Sequence, residues 1–323
     1  MARGIAFLID APRALLRRLD RVTRQFLRKR LLARPGPRRL LRAWGLRRMG
    51  GLALSVGDRN SGFFQLGWCT LDMSGADYLA DLSCQPIPLP DGSVKALYAS
   101  HLLEHLDDEQ AARLLREFQR VLRPGGLLRP VVPDLPRHVD EYRRDPSFAY
   151  FYQRADRPGH TVRDGLERAV AQGRQGAWAL CPHNALFSVV VSYTNGHPWH
   201  DVSREELERQ LAGSLEDFVR WCASQKDRSR PDFGHVNGYD HACLARMLSV
   251  AGFDRARASS WRAPDLDPVF RGMDRRDKRE ISLYVDAVRR NENGPPEGDP
   301  FRTSKETRCA GSRDSARARQ EVS

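Results

Sequence analysis

An α/β fold built on a parallel sheet is predicted by three adjoining features of the chain. An apolar run at 94–100 has the length of a buried strand. After a His- and Glu-bearing turn, Ala111, Leu114, Leu115, Phe118, Val121 and Leu122 recur at helical spacing. Arg123-Pro124-Gly125-Gly126 then stops the helix, with Gly available for a left-handed cap, and a second apolar run occupies 127–132. Strand, helix and strand with a short Gly-rich return make a parallel βαβ unit, whose ligands bind at the carboxyl ends of the strands. Those ends carry Ser100, His101, Glu104 and Asp134.

The remaining elements follow in chain order. Residues 12–32 place Leu15, Leu16, Leu19, Val22, Phe26, Leu27 and Leu31 on one helical face, opposite Arg13, Arg17, Arg21, Arg24 and Arg28. Such a basic amphipathic helix either lies on an anionic membrane or packs its apolar stripe on the body. Its Arg-rich character also suits a transit peptide, against which Asp10 and Asp20 count. Pro35-Gly36-Pro37 breaks it, and a second short basic helix fills 38–48. Strands are expected at 52–56, 69–73 and 78–82, ahead of the one at 94–100. Residues 136–234 read as a helical insertion or cap over the mouth of the site, with aromatic and His-rich turns. A helix at 239–250, closed by Gly252, precedes strands at 257–261 and 281–288. The polar, Arg/Glu-rich stretch 291–323 has the composition of a disordered tail. The expected organisation is thus an arm (1–49), a sheet domain (50–135 and 235–290), an insertion (136–234) and a tail (291–323).

Charge narrows the function classes. The net charge is +12, but residues 1–50 hold fifteen Lys and Arg against Asp10 and Asp20, leaving the rest of the chain at −1. The body is therefore not a basic nucleic-acid-binding domain, and no specific nucleic acid is expected as a partner. Six scattered cysteines without a C-x-x-C pair suit free thiols in a reducing compartment. No apolar run approaches the roughly 20 residues that span a bilayer, so a cytoplasmic protein is expected, with peripheral membrane association through 1–34 as one use of the arm.

The text Leu103-Glu104-His105-Leu106, Arg120-Val121-Leu122-Arg123-Pro124-Gly125-Gly126 and Val132-Pro133-Asp134-Leu135 resembles the class I S-adenosylmethionine-dependent methyltransferases, in particular a bacterial branch of small members. The resemblance covers about 50–135 and resumes at 235–288. It implies a doubly wound, Rossmann-like sheet of seven strands, the last antiparallel, and S-adenosylmethionine as cofactor.

It also implies site residues. The family's G-x-G after the first strand reads Ser55-Val56-Gly57 here, with Ser in place of the first Gly. Asp72, followed by Met73, matches the acid that accepts from the ribose hydroxyls. Asp81, followed by Leu82, matches the position that contacts the adenine amino group. The residue reading beside this is a turn-capping Asp in each case. Ser100 and His101 would flank the cofactor, and His101 and Asp134 are the candidate general bases. No G-x-G-x-x-G is present, which counts against a dinucleotide-dependent oxidoreductase.

Other readings stay open. His101-Leu102-Leu103-Glu104-His105 also spells H-x-x-E-H, a zinc metallopeptidase pattern that needs a substantial helix around it. Ser55, and Lys95 where the family commonly has an acid, admit a catalytically degenerate binding or scaffold protein. His235 falls where the family carries an aromatic or His residue near the acceptor, and Asp240 reads as a helix N-cap. The acceptor itself is not legible, a sugar or other small molecule being the expectation.

Overall fold

A computed structural model describes residues 51–57, 68–157, 159–193, 197–226, 234–266, 268–270, 272–274 and 278–291. The arm at 1–49 and the tail beyond 291 lie outside the described residues, as do the expectations of amphipathic helices and disorder attached to them.

Seven strands make one sheet: β1 (Leu52–Val56), β2 (Trp68–Asp72), β3 (Tyr78–Leu79), β4 (Val94–Ser100), β5 (Leu122–Pro133) and the last pair, called β10 (Phe253–Ser259) and β11 (Ser282–Arg289) because two short hairpins intervene. The strand order is β10-β11-β5-β4-β1-β2-β3. β11 pairs antiparallel with both β5 and β10, and the pairs formed among β1 to β5 are parallel. The order reverses between β1 and β4, which is the switch point where a doubly wound sheet binds its ligand. This is the seven-stranded, Rossmann-like fold with an antiparallel last strand.

Two cores cover the two faces of the sheet. Leu54, Val56, Leu71, Leu97, Ala99, Leu128 and Val132 point to one side, onto α1 (Asp108–Val121) and α8 (His241–Val250). The alternate residues Ala53, Trp68, Ala96, Tyr98 and Val131 point to the other, where Phe270, Met273 and Tyr284 cover them. Helix α1 buries Ala111, Leu114, Leu115, Phe118 and Val121, the stripe that its sequence predicts. Its start is fixed by a capping box: Gln110 N–H donates to Asp107 at 2.9 Å, and Asp107 N–H to Gln110 at 3.1 Å.

The Arg123-Pro124-Gly125-Gly126 segment is not the expected left-handed helix cap. The helix ends one residue earlier, at an extended Leu122 that already pairs with Val94, and 123–126 form an irregularity inside β5. Gly125 takes φ +71° there, which is where Gly is needed.

Between β5 and α8 the chain makes α2 (Leu135–Arg144), α3 (Ala149–Tyr152), the hairpin β6–β7 (Ala155–Arg157, His160–Thr161), α4 (Val162–Ala171), α5 (Pro182–Val190), the hairpin β8–β9 (Ser192–Tyr193, His197–Pro198), α6 (Arg204–Leu211) and α7 (Leu215–Ser224). These elements have a separate core, built on Leu135, Val139, Phe148, Phe151, Leu186, Phe187, Leu207 and Phe218. Helix α5 buries every residue from Asn184 to Val190, in keeping with its apolar Leu186-Phe187 and Val189-Val190 pairs.

Candidate functional site

The carboxyl ends of β1, β2 and β4 lie side by side at the switch point, with Gly57, Asp72, Ser100 and His101 at those ends. Gly57 ends β1 with φ +74°, its N–H donating to Leu71 O at 2.9 Å. A Cβ on Gly57 would stand 3.2 Å from the Leu102 side chain, so both the conformation and the space call for Gly. Val56 is buried in the core on the helical side of the sheet. Ser55 pairs with Thr70 and Tyr98 inside β1. Its hydroxyl is buried and has no hydrogen-bond partner among the described residues, so it belongs to the strand interior rather than to the loop beyond Gly57.

Asp72 closes β2 and is buried, with Oδ1 accepting from the Met73 N–H at 2.6 Å. Met73 itself is exposed. Asp81 follows β3 and caps a turn: one carboxylate oxygen accepts from Ser83 N–H at 3.0 Å and from Ser83 Oγ–H at 2.6 Å. The Ser83 hydroxyl bond in particular holds the Asp81 carboxyl below its usual range. Leu82 is buried beneath it. The turn-capping reading of Asp81 is thus realised. β3 stops at Leu79, three residues earlier than expected, because Cys84 and Gln85 N–H both turn back onto Asp81 O.

Ser100 ends β4, and His101 follows in the left-handed region at φ +53°. That turn aims the imidazole across the end of the sheet. Its Nε2 is 2.8 Å from Ser282 Oγ in β11, and its Nδ1 is 3.0 Å from Glu104 Oε1. Burial above all, with Lys278 nearby, holds His101 well below the ordinary imidazole range, so it is neutral near pH 7. Asp134 leaves β5 and caps α2, accepting from Arg137 N–H at 3.3 Å, while burial raises its carboxyl.

Residues 103–105 form a single 3-10 turn that starts a new helix only at Asp108. His101 and His105 therefore do not lie one turn apart on an α-helix, and the metallopeptidase arrangement of H-x-x-E-H is not formed. A different group is assembled instead. Segment 235–239, on returning from the insertion, clamps the turn: Val236 and Asn237 N–H donate to Glu104 O at 2.8 and 3.2 Å, and Tyr239 Oη–H donates to Leu103 O at 3.1 Å. Asn237 adds a 2.8 Å bond to Asp108. His235 is thereby brought edge-on against His105, ring centres 4.8 Å apart. The Glu104 side chain is fully buried, and among the described residues neither oxygen has an aligned hydrogen-bond donor, the 3.0 Å approach of His101 Nδ1 being off-line. Burial pushes this carboxyl well up from its ordinary range. The family resemblance did not single out Glu104 and His105, and its reading of His235 was open. The βαβ reading put Glu104 at a strand end, and the H-x-x-E-H text pointed to both of the first two.

A cleft of about 330 Å³ lined by Tyr142, Arg143, Arg204 and Glu208 among others lies within the insertion and shares no residue with the strand ends. Among the described residues, no helix is long and apolar enough to cross a membrane.

Residues 70–129 match the family model of a methyltransferase domain. The match runs from β2 into β5 and leaves out β1 with Gly57. No curated protein matches the chain. Among solved structures, an S-adenosylmethionine-dependent methyltransferase from Mesorhizobium loti is similar at 17% identity over 78% of this chain and 96% of its own, with a TM-score of 0.35. A 1,6-didemethyltoxoflavin-N1-methyltransferase from Burkholderia thailandensis, with its bound substrate and S-adenosylhomocysteine, is 12% identical over 78% of each chain at a TM-score of 0.33. A methyltransferase from Archaeoglobus fulgidus is 12% identical over 82% of this chain and 98% of its own, at 0.32.

Proposed function

We propose that this protein transfers a methyl group from S-adenosylmethionine to a small-molecule acceptor, a sugar among the candidates. The carrying observation is that Gly57, Asp72 and Asp81 stand at or just after the carboxyl ends of β1, β2 and β3, three successive strands on one side of the switch point, within and next to the segment that matches a methyltransferase domain. In this reading Gly57 admits the methionine part of the cofactor, and Asp72 accepts from the two ribose hydroxyls. Met73 flanks that carboxylate. Asp81 and the Leu82 amide meet the adenine edge, and Ser100 and His101 border the reacting end.

The transfer is an in-line displacement. The acceptor's lone pair forms the new bond to the methyl carbon while the C–S bond breaks and its electron pair returns to sulfur. The chain's part is to position the partners and exclude water. An acceptor that ionises poorly must also lose a proton, for which His101 and Asp134 are the candidate bases.

Calorimetric titration with S-adenosylhomocysteine tests the reading. Asp72→Ala removes an acceptor of two hydroxyl bonds, about 1.5–3 kcal/mol, and should weaken binding at least tenfold. An unchanged dissociation constant would remove Asp72 from the site. The rival reading, a methyltransferase fold kept as a scaffold, is favoured by Ser55 in the glycine position; it prevails if the wild-type chain does not bind at millimolar ligand.

A further inference from the structure

Glu104, His105 and His235 present one ligand atom each, all within 4.8 Å of one another. We propose that these three residues bind a divalent transition ion, with Zn²⁺ as the natural occupant. Two imidazole nitrogens and a carboxylate oxygen are the donor set of a three-ligand zinc site that keeps a fourth position open. A tetrahedral ion with bonds of about 2.0–2.1 Å holds its ligand atoms roughly 3.4 Å apart. The ligand atoms, now within 4.8 Å of one another, would have to draw together to that spacing.

Two independent observations point to a ligand here. Glu104 is wholly buried, and among the described residues neither of its oxygens has an aligned donor, an arrangement that costs free energy and is relieved by a cation. His235 Nδ1 is 2.8 Å from Val189 O, which fixes N–H on Nδ1 and leaves the lone pair on Nε2. A metal-bound His characteristically donates its other ring N–H to a backbone carbonyl in this way. The backbone bonds from Val236 and Asn237 to Glu104 O hold the two halves of the site in register. His101 Nδ1 lies 3.0 Å from Glu104 Oε1.

The surroundings are not uniformly favourable. Lys278 acts electrostatically on Glu104, His101 and His235, Lys226 on His235 and Arg154 on His101. These cations oppose an incoming ion, which supplies a second handle: removing Lys278 should strengthen binding, whereas removing a ligand should weaken it.

The experiment uses the full chain stripped with a chelator and titrated with Zn²⁺, with Co²⁺ as a spectroscopic substitute. The expected result is one tight equivalent whose Co²⁺ spectrum is tetrahedral and lacks a thiolate charge-transfer band, which excludes the free cysteines. His105→Ala, a half-exposed position, should weaken binding by roughly a hundredfold or more, beyond what loss of a supporting partner does. Glu104→Gln keeps the shape and should do the same, and Lys278→Met should tighten binding several-fold. Circular dichroism checks that each variant folds. Wild-type protein that takes up no ion, or folded His105→Ala and Glu104→Gln variants with unchanged affinity, would overturn the proposal. No cofactor enters the titration, so its outcome is independent of the methyltransferase reading.

Discussion

Arg129 in β5 and Asp274 form a bidentate pair inside the protein, Nε to Oδ1 at 3.1 Å and Nη2 to Oδ2 at 2.8 Å, with neither side chain exposed. Asp286 of β11 takes a third guanidinium bond, Ser259 Oγ a fourth and Ser260 O a fifth. The same two carboxylates accept from the Arg262 and Asp265 N–H groups. One guanidinium thus fastens the segment 259–274 over the face of the sheet that α1 and α8 leave uncovered.

Removing that cation strands two buried carboxylates. Arg129→Met should cost about 3–5 kcal/mol in urea unfolding. Replacing all three groups by apolar residues of similar size should recover much of the loss, because the desolvation of the charges disappears with them. A single Arg129→Met within error of wild type would show that the network is not holding the segment.

Gly57→Ala meets two obstacles at once. The left-handed conformation costs an L-residue about 1–2 kcal/mol, and the new methyl stands 3.2 Å from Leu102. The expected outcome is a lower melting temperature together with weaker S-adenosylhomocysteine binding. Loss of stability with cofactor affinity intact would place the ligand away from the end of β1.

His138 predicts a pH dependence. It is buried in α2 among the rings of Phe148, Tyr150 and Phe151, and burial, helped by Arg154 and Arg137, lowers its pKa to about 3. The unfolded chain takes up this proton as pH falls through about 6.5, while the folded chain resists it down to about 3. The neutral ring's contribution is therefore whole above about 6.5 and is lost as pH falls between those values, at a slope of at most roughly 1.4 kcal/mol per pH unit. Urea midpoints between pH 7 and 4 should decline less steeply in His138→Phe than in wild type. Parallel declines would contradict the assignment.

Legibility varied with locality. β1 and β4 were readable to the residue, because each is a short apolar run with clear ends. β10 was placed too late, at 257–261 instead of 253–259. It is an edge strand whose Arg-rich text alternates only weakly, and Arg255 at φ +54° lies where its register shifts. Asp240 was legible as an N-cap, and it does accept from Cys243 N–H at 2.6 Å. Glu104 and His235 were not legible as a pair. Their meeting depends on where the insertion returns the chain, and no local pattern encodes that.

Asp134 and Tyr239 form a parallel bridge, and Leu135 N–H reaches Tyr239 O at 3.4 Å. The more than one hundred residues between them therefore leave and rejoin the sheet domain through a single doorway, about 5 Å wide as neighbouring strands are. With its own core, this stretch is a guest of the sheet domain, and a linker of a few residues is long enough to span the same gap. Exchange of the guest between host sheets would change what approaches the strand ends without disturbing strand order.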